Sequence, residues 1–249
     1  MTASVGVMPT APPAPKVLVF DVNETLSDMA GMRSRLASVG VSPTAFPRWF
    51  AGVLRDGFAL TAAGGYADFA DLAHDGLRAL TDGMEVPALT DEAIEHVVAG
   101  FADLEVHPDV PAGVRALHRA GFRLVTMTNG SVAVTEALLE RAGLRDHFEL
   151  LLDVRGPRCW KPAPEAYRYT IDAADVTPAD AMLVAVHPWD IDGAVRAGLR
   201  GAWIRRGTPP TAYSSAMRPP TLVADGLDEL SHLLTRGSGS SGPHPRVDR

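Results

Sequence analysis

Three short, largely apolar runs limit what this chain can become: VLVF at 17 to 20, FRLVTMT at 122 to 128 and AMLVAV at 181 to 186. Each is followed by a turn and then by a segment with helical spacing. Runs of this length suit strands buried on both faces, and strands alternating with helices imply a parallel sheet covered on each side. GAWIRR at 201 to 206 and TLVA at 221 to 224 read as further, weaker strands. The expected fold is α/β, a doubly wound parallel sheet.

The rhythm breaks between about Ala30 and Asp103. There FPRWFAGVLRDGFAL, YADFADLAHDGLRAL and DEAIEHVVAGFADL carry helical periodicity with no convincing strand among them. This predicts a helical domain of residues 30–103 inserted into an α/β core of 16–29 and 104–236. The ends, 1–15 and 237–249, are dominated by proline, glycine, serine and other small residues. They bury too little apolar surface to order themselves and read as disordered tails.

Composition narrows the function classes. With 249 residues and 46% apolar content the chain can bury a sizeable core. A formal charge of −7 is not the basic footprint of a nucleic-acid binder. One cysteine, Cys159, cannot form an internal disulfide, and no Cys/His group has zinc-ligand spacing, so a reducing, cytoplasmic setting is expected. No stretch approaches the roughly 20 apolar residues of a membrane span, and the start lacks the pattern of a signal peptide. Neither a membrane nor a nucleic acid is expected as partner.

In an open parallel sheet, ligands bind beyond the carboxyl ends of the strands. The polar residues there are Asp21, Asn23 and Thr25 after the first run, Thr128, Asn129 and Ser131 after the second, and His187, Trp189, Asp190 and Asp192 after the third. Lys161 stands in the connection before the third. Right-handed crossovers would bring all four groups to one edge. Each residue also has an ordinary structural reading: Asp21 and Thr25 could shape a turn, Asn129 could cap a helix, Asp190 or Asp192 could do the same, and Lys161 could be a solvated charge. Their convergence weakens those readings, because it assembles a nucleophile candidate, a cation and hydroxyl or amide donors.

These four groups, in this order, resemble the motifs of the haloacid dehalogenase superfamily. FDVNETL is similar to its first motif, TMTNGS to its second, the Lys161 segment CWKPAPEAY to its third and HPWDIDGA to its fourth. Within the superfamily the Trp-Asp pair of HPWDIDGA, with LVTMTNGS and WKPAPEAY, looks like the L-2-haloacid dehalogenase (type II) branch. The resemblance implies a doubly wound sheet with a helical cap inserted soon after the first motif. It also implies a catalytic set. Asp21 is the nucleophile, Thr25 holds its loop, Thr128 and Asn129 position substrate or nucleophile, and Lys161 keeps Asp21 ionised. Asp190 and His187 are the candidates to orient or deprotonate the water of the second step. The family usually has asparagine where His187 stands and serine where Ala185 stands.

Phosphatases of the superfamily need a second aspartate two places after the nucleophile as a general acid, and a magnesium ion held partly by an acid of the fourth motif. Here Asn23 and Val186 occupy those places. Halide leaves as an anion and needs no proton. The resemblance therefore implies a carbon–halogen hydrolase with no cofactor, acting on a small organic molecule through an enzyme ester, and a homodimer by analogy. Alternatives are a phosphatase-like hydrolase in which Asp190 or Asp192 recruits a weak Mg2+, and a non-catalytic binding member of the fold. In the branch an arginine follows a cap tryptophan and clamps the substrate carboxylate. Here Phe50 follows Trp49, so Trp49, Phe50, Asn23 and Trp189 are expected to wall a pocket for a larger or less charged substrate.

Overall fold

A computed structural model describes residues 14–81, 88–206 and 212–237. Residues 1–13 and 238–249, nearly all of the two expected tails, lie outside the described residues, whereas Pro15 is buried and Gly237 closes the last helix. Strands β1 (Val17–Phe20), β4 (Arg123–Thr128), β5 (Leu150–Asp153), β6 (Ala181–Ala185), β7 (Arg200–Ile204) and β8 (Leu222–Ala224) form one sheet in the order β5-β4-β1-β6-β7-β8. All its pairings are parallel. Every residue of β1 and β6 is buried, as expected of central strands with helices on both faces.

The chain leaves β1 toward β4 and β5 on one side, then crosses to β6, β7 and β8 on the other. Connections therefore diverge between β1 and β6, and the carboxyl ends of those two strands border a crevice. Asp21 directly follows β1, and His187 follows β6 after one residue.

Between β1 and β4 the chain passes through a two-stranded antiparallel ribbon, β2 (Ser27–Asp28) with β3 (Glu105–Val106). Ser27 pairs with Val106 and Asp28 with Glu105, so the ribbon is both exit and return. Between its strands lie α1 (Ala30–Ser38), α2 (Phe46–Ala62), α3 (Phe69–Thr81) and α4 (Asp91–Ala99). In α2 the buried residues Phe46, Trp49, Phe50, Val53 and Gly57 recur at helical spacing and face the similarly spaced Phe69, Ala73, Leu77 and Leu80 of α3. No strand occurs among the described residues of this block.

The block is tied to the sheet at the loop before α7 (Pro164–Ala173). The Trp160 main-chain N–H donates to Thr61 Oγ1 and its indole N–H to the Ala67 carbonyl, both at 3.0 Å. Its ring stacks on Phe69 at 6.0 Å. A Cβ on Gly57 would lie 2.4 Å from this indole, so only glycine allows the helix so close. Arg155 adds a two-pronged pair with Asp68 at 2.8 and 3.1 Å.

Two features depart from the sequence reading. Strand β5 was not expected: its LLLD run is only half-buried at the edge of the sheet. The ribbon strands hold two residues each, too few to show a period. The remaining helices are α5 (Val110–Arg119), α6 (Val132–Arg141), α8 (Pro188–Arg196) and α9 (Leu227–Gly237).

Candidate active site

The first residue past β1, Asp21, is fixed by its own main chain: its N–H donates to the Val184 carbonyl of β6 at 3.0 Å. The side chain is buried, at 4% exposure. Its Oδ2 accepts from Thr25 Oγ1 at 2.8 Å and its Oδ1 from Lys161 Nζ at 2.9 Å. Thr25 Oγ1 in turn accepts the Val186 N–H at 3.1 Å, so one hydroxyl pins the acid loop to the end of β6.

Lys161 has no exposure at all. Its ammonium lies between two carboxylates, donating also to Asp190 Oδ2 at 2.7 Å. The other oxygen of Asp190, Oδ1, accepts from the Tyr167 hydroxyl at 2.6 Å. Burial works to lower the Lys161 ammonium, yet Asp190 and Asp21 outweigh it and hold it above the ordinary lysine range. For Asp21 burial works upward, but Lys161 and then His187 prevail and keep the carboxyl well below the usual range. Asp190 goes the other way. Burial raises it, and the neighbouring Asp21 charge adds to the rise. One cation thus serves two acids, lowering Asp21 while burial keeps Asp190 raised.

Asn129 is buried, and both ends of its amide bind the Lys161 main chain: Nδ2 donates to the carbonyl at 3.1 Å and Oδ1 accepts the N–H at 2.9 Å. The amide clamps the backbone of the lysine that contacts Asp21. Thr128 Oγ1 accepts the Gly130 N–H at 2.9 Å and shapes the same turn. Ser131 caps α6, accepting from Val134 N–H.

His187 stands at the start of α8. Its Nε2 is 2.8 Å from Glu24 Oε2, and its Nδ1 is 3.5 Å from Asp21 Oδ2, near enough for charge attraction and too long for a good hydrogen bond. Burial alone would lower this imidazole. Asp21 and Glu24 reverse that and raise it to about 9. Trp189 stacks on the ring at 5.0 Å and meets Phe58 of α2 at 4.9 Å.

A cavity of about 330 Å³ lies against Glu24 and His187. A smaller one of about 100 Å³ is bounded by Asn23, Gly130 and Ser131 on the sheet side and Phe69 and Phe101 on the helical side. Trp49 and Phe50 reach neither. Trp49 donates its indole N–H to the Ala73 carbonyl at 3.0 Å, and Phe50 stacks on Phe46 at 5.6 Å, because an aromatic ring packed between helices gains most from its neighbours' rings.

The acids offered for a magnesium ion are already engaged. Asp190 binds Lys161 and Tyr167; Asp192 accepts from Arg196 at 2.9 Å and from the Arg218 N–H at 2.8 Å. Asn23 and Val186 complete a donor set that does not suit a hard divalent cation. No group of three or more His, Cys, Asp or Glu is placed to hold a metal among the described residues.

Sequence reasoning overlooked Tyr167 and Glu24. Tyr167 was in view within CWKPAPEAY and Glu24 within FDVNETL, but nothing local distinguishes them. Their partners are 23 and 163 residues away.

Residues 15–198 match a family model for haloacid dehalogenase-like hydrolase. The chain is 27% identical over 225 residues to (S)-2-haloacid dehalogenase 4A of Burkholderia cepacia, covering 89% of this chain and 95% of that one. It is 29% identical over 134 residues to haloacetate dehalogenase H-2 of Moraxella sp. (strain B), a match of 54% of this chain that spans only 59% of the relative. The solved L-2-haloacid dehalogenase from Xanthobacter autotrophicus has the same fold, with a TM-score of 0.81 at 22% identity over 90% of this chain and 99% of that one.

Proposed function

The chain belongs to the haloacid dehalogenase-like hydrolases, and on that premise we propose that it hydrolyses a carbon–halogen bond, with Asp21 as the attacking group. The observation that carries this reading is a buried carboxylate, held ionised by Lys161, with Asn23 where a general acid would stand. In the first step an Asp21 oxygen bonds to the halogen-bearing carbon and halide departs with its electron pair. Lys161 and Thr25 hold the carboxylate for that attack, and the ester formed is then opened by water. Asn129 acts at one remove, by fixing the Lys161 backbone.

Residues 30–103 would serve as a cap over the sheet edge. Phe50 follows Trp49 where a carboxylate-clamping arginine is expected, so this position supplies no guanidinium for a short 2-haloacid, which favours a larger or less charged substrate. Trp189 and Phe58 offer apolar surface next to His187.

The test is halide release over haloalkanoates of increasing chain length and their amides, with and without a chelator. Release insensitive to chelator, together with a mass increase on the Asp21 peptide after quenching, supports the reading. Phosphate-ester cleavage that depends on added magnesium would overturn it in favour of the phosphatase reading.

A further inference from the structure

Resting on the ester mechanism above, we propose that Glu24 and His187 form a working pair. Glu24 orients the imidazole so that His187 Nδ1 takes a proton from the water that opens the Asp21 ester. Neither the family match nor the expected motif roles assign anything to Glu24.

The geometry fixes which nitrogen does what. A carboxylate offers only lone pairs, so at 2.8 Å Nε2 must donate to Glu24. In the neutral ring Nδ1 is then the acceptor. That atom is buried, lacks a hydrogen-bond partner and lies 3.5 Å from Asp21 Oδ2. An unpartnered ring nitrogen 3.5 Å from the carboxyl group that carries the ester is placed to take up a hydrolytic water once alkylation removes the Asp21 charge and this contact opens. Trp189 stacks on the ring and, with Glu24, favours this orientation.

Glu24 is held too. Its φ of 63° lies in the left-handed region, which non-glycine residues enter only when their surroundings impose it. One such constraint is visible: His107 Nε2 lies 3.1 Å from the Glu24 carbonyl oxygen and donates to it.

The pair also gives the proton a closed cycle. At rest the imidazolium faces two carboxylates, Asp21 and Glu24, both from the loop after β1. Lys161 and Asp190 stand behind Asp21. Across the larger cavity lie Asp28, Arg33 and His107, with Arg205 and Arg206 paired to Asp225 and Asp109. Alkylation turns Asp21 into a neutral ester, so one of the two anions vanishes and the imidazolium gives its Nδ1 proton to water from the cavity beside His187, while the Nε2–H stays hydrogen-bonded to Glu24. Water oxygen then bonds to Asp21 Cγ as Nδ1 takes one of its protons. The bond from Cγ to the substrate oxygen breaks, and the departing alkoxide takes the second proton. Asp21 is again a carboxylate and His187 again an imidazolium. The sum is organic halide plus water giving alcohol, halide and a proton, with no change of redox state.

Two measurements on the full chain decide this. Ring 15N resonances of His187 should show an Nε2-protonated tautomer at high pH, and Glu24→Gln should lower the titration midpoint by at least about one unit. An Nδ1-protonated tautomer or an unmoved midpoint overturns the pair. In rapid-quench turnover of 2-chloropropionate and 2-bromohexanoate, Glu24→Gln and His187→Phe should release about one halide per site at a rate within a few-fold of the parent. Turnover should then fall roughly 100-fold with ester accumulating on Asp21. Equal loss of halide burst and turnover would mean a merely structural role and would overturn the proposal. If the parent chain releases no halide from any probe, the ester mechanism fails, and the ring resonances still judge the pair separately.

Discussion

At the edge of the sheet, Asp21, Lys161, Asp190 and Tyr167 are buried polar side chains that bind one another across four chain segments. In the helical block facing them, Phe46, Trp49, Phe50, Phe69 and Phe101 pack ring against ring, at centroid distances of 5.0 to 6.2 Å. The first region can be built because strand ends and crossovers over-determine where each group lies, so a charge taken out of water always meets its partner. The second is held by area and shape and tolerates no buried charge. Under the proposed function the chemistry belongs to the sheet edge and the fit of the substrate to the block. Trp160 is where the two meet.

The sharpest break in that division is Asp21→Asn, which keeps the shape and removes the proposed nucleophile. Halide release should drop by at least about 1,000-fold, and the melting temperature near neutral pH should fall, since Lys161 and His187 lose an ionised partner. Lys161→Met leaves two carboxylates facing each other without their cation. Asp21 should then bind a proton at higher pH, so the acid limb of the rate profile moves upward, and activity near neutrality should fall roughly 100-fold.

Gly57→Ala probes the seam instead of the chemistry. The added methyl meets the Trp160 ring, which should cost about 1–3 kcal/mol in a denaturant titration while the folded fraction keeps its halide burst. Smaller again is the pH dependence of stability owed to His187. Free imidazole titrates near 6.5 and the folded one near 9, so its contribution is complete below 6.5 and lost as pH rises through 9. Melting curves of the parent and His187→Phe should therefore draw together across that window. Least of all, Arg155→Ala removes an exposed pair with Asp68 and should cost less than about 1 kcal/mol. A larger loss would mean that charge, and not the Trp160 contact, fastens the block to the sheet.

Much of the architecture could be read without coordinates. VLVF and AMLVAV were legible as central strands because burial on both faces leaves an uninterrupted apolar run. The edge strand Leu150–Asp153 was not, since a half-buried run following a helical segment carries no distinct period. Among site residues, Asp21 and Lys161 drew notice through their places after a strand and before another. Asn129 also stands out after a strand, as a group to position substrate or nucleophile, but that its amide closes on a main chain 32 residues away is not legible locally.

What the sequence determined by itself was the alternation of strand and helix, the interruption by a helical segment and the set of polar groups at strand ends. These depend on side-chain periodicity over a few neighbouring residues. Only the tertiary structure decided that one ammonium would stand between two carboxylates, that Trp49 would turn inward, and that Glu24 would meet His187 with Nε2 and leave Nδ1 bare. Those outcomes are distances between residues remote along the chain, set by crossovers and packing, and no local preference encodes them.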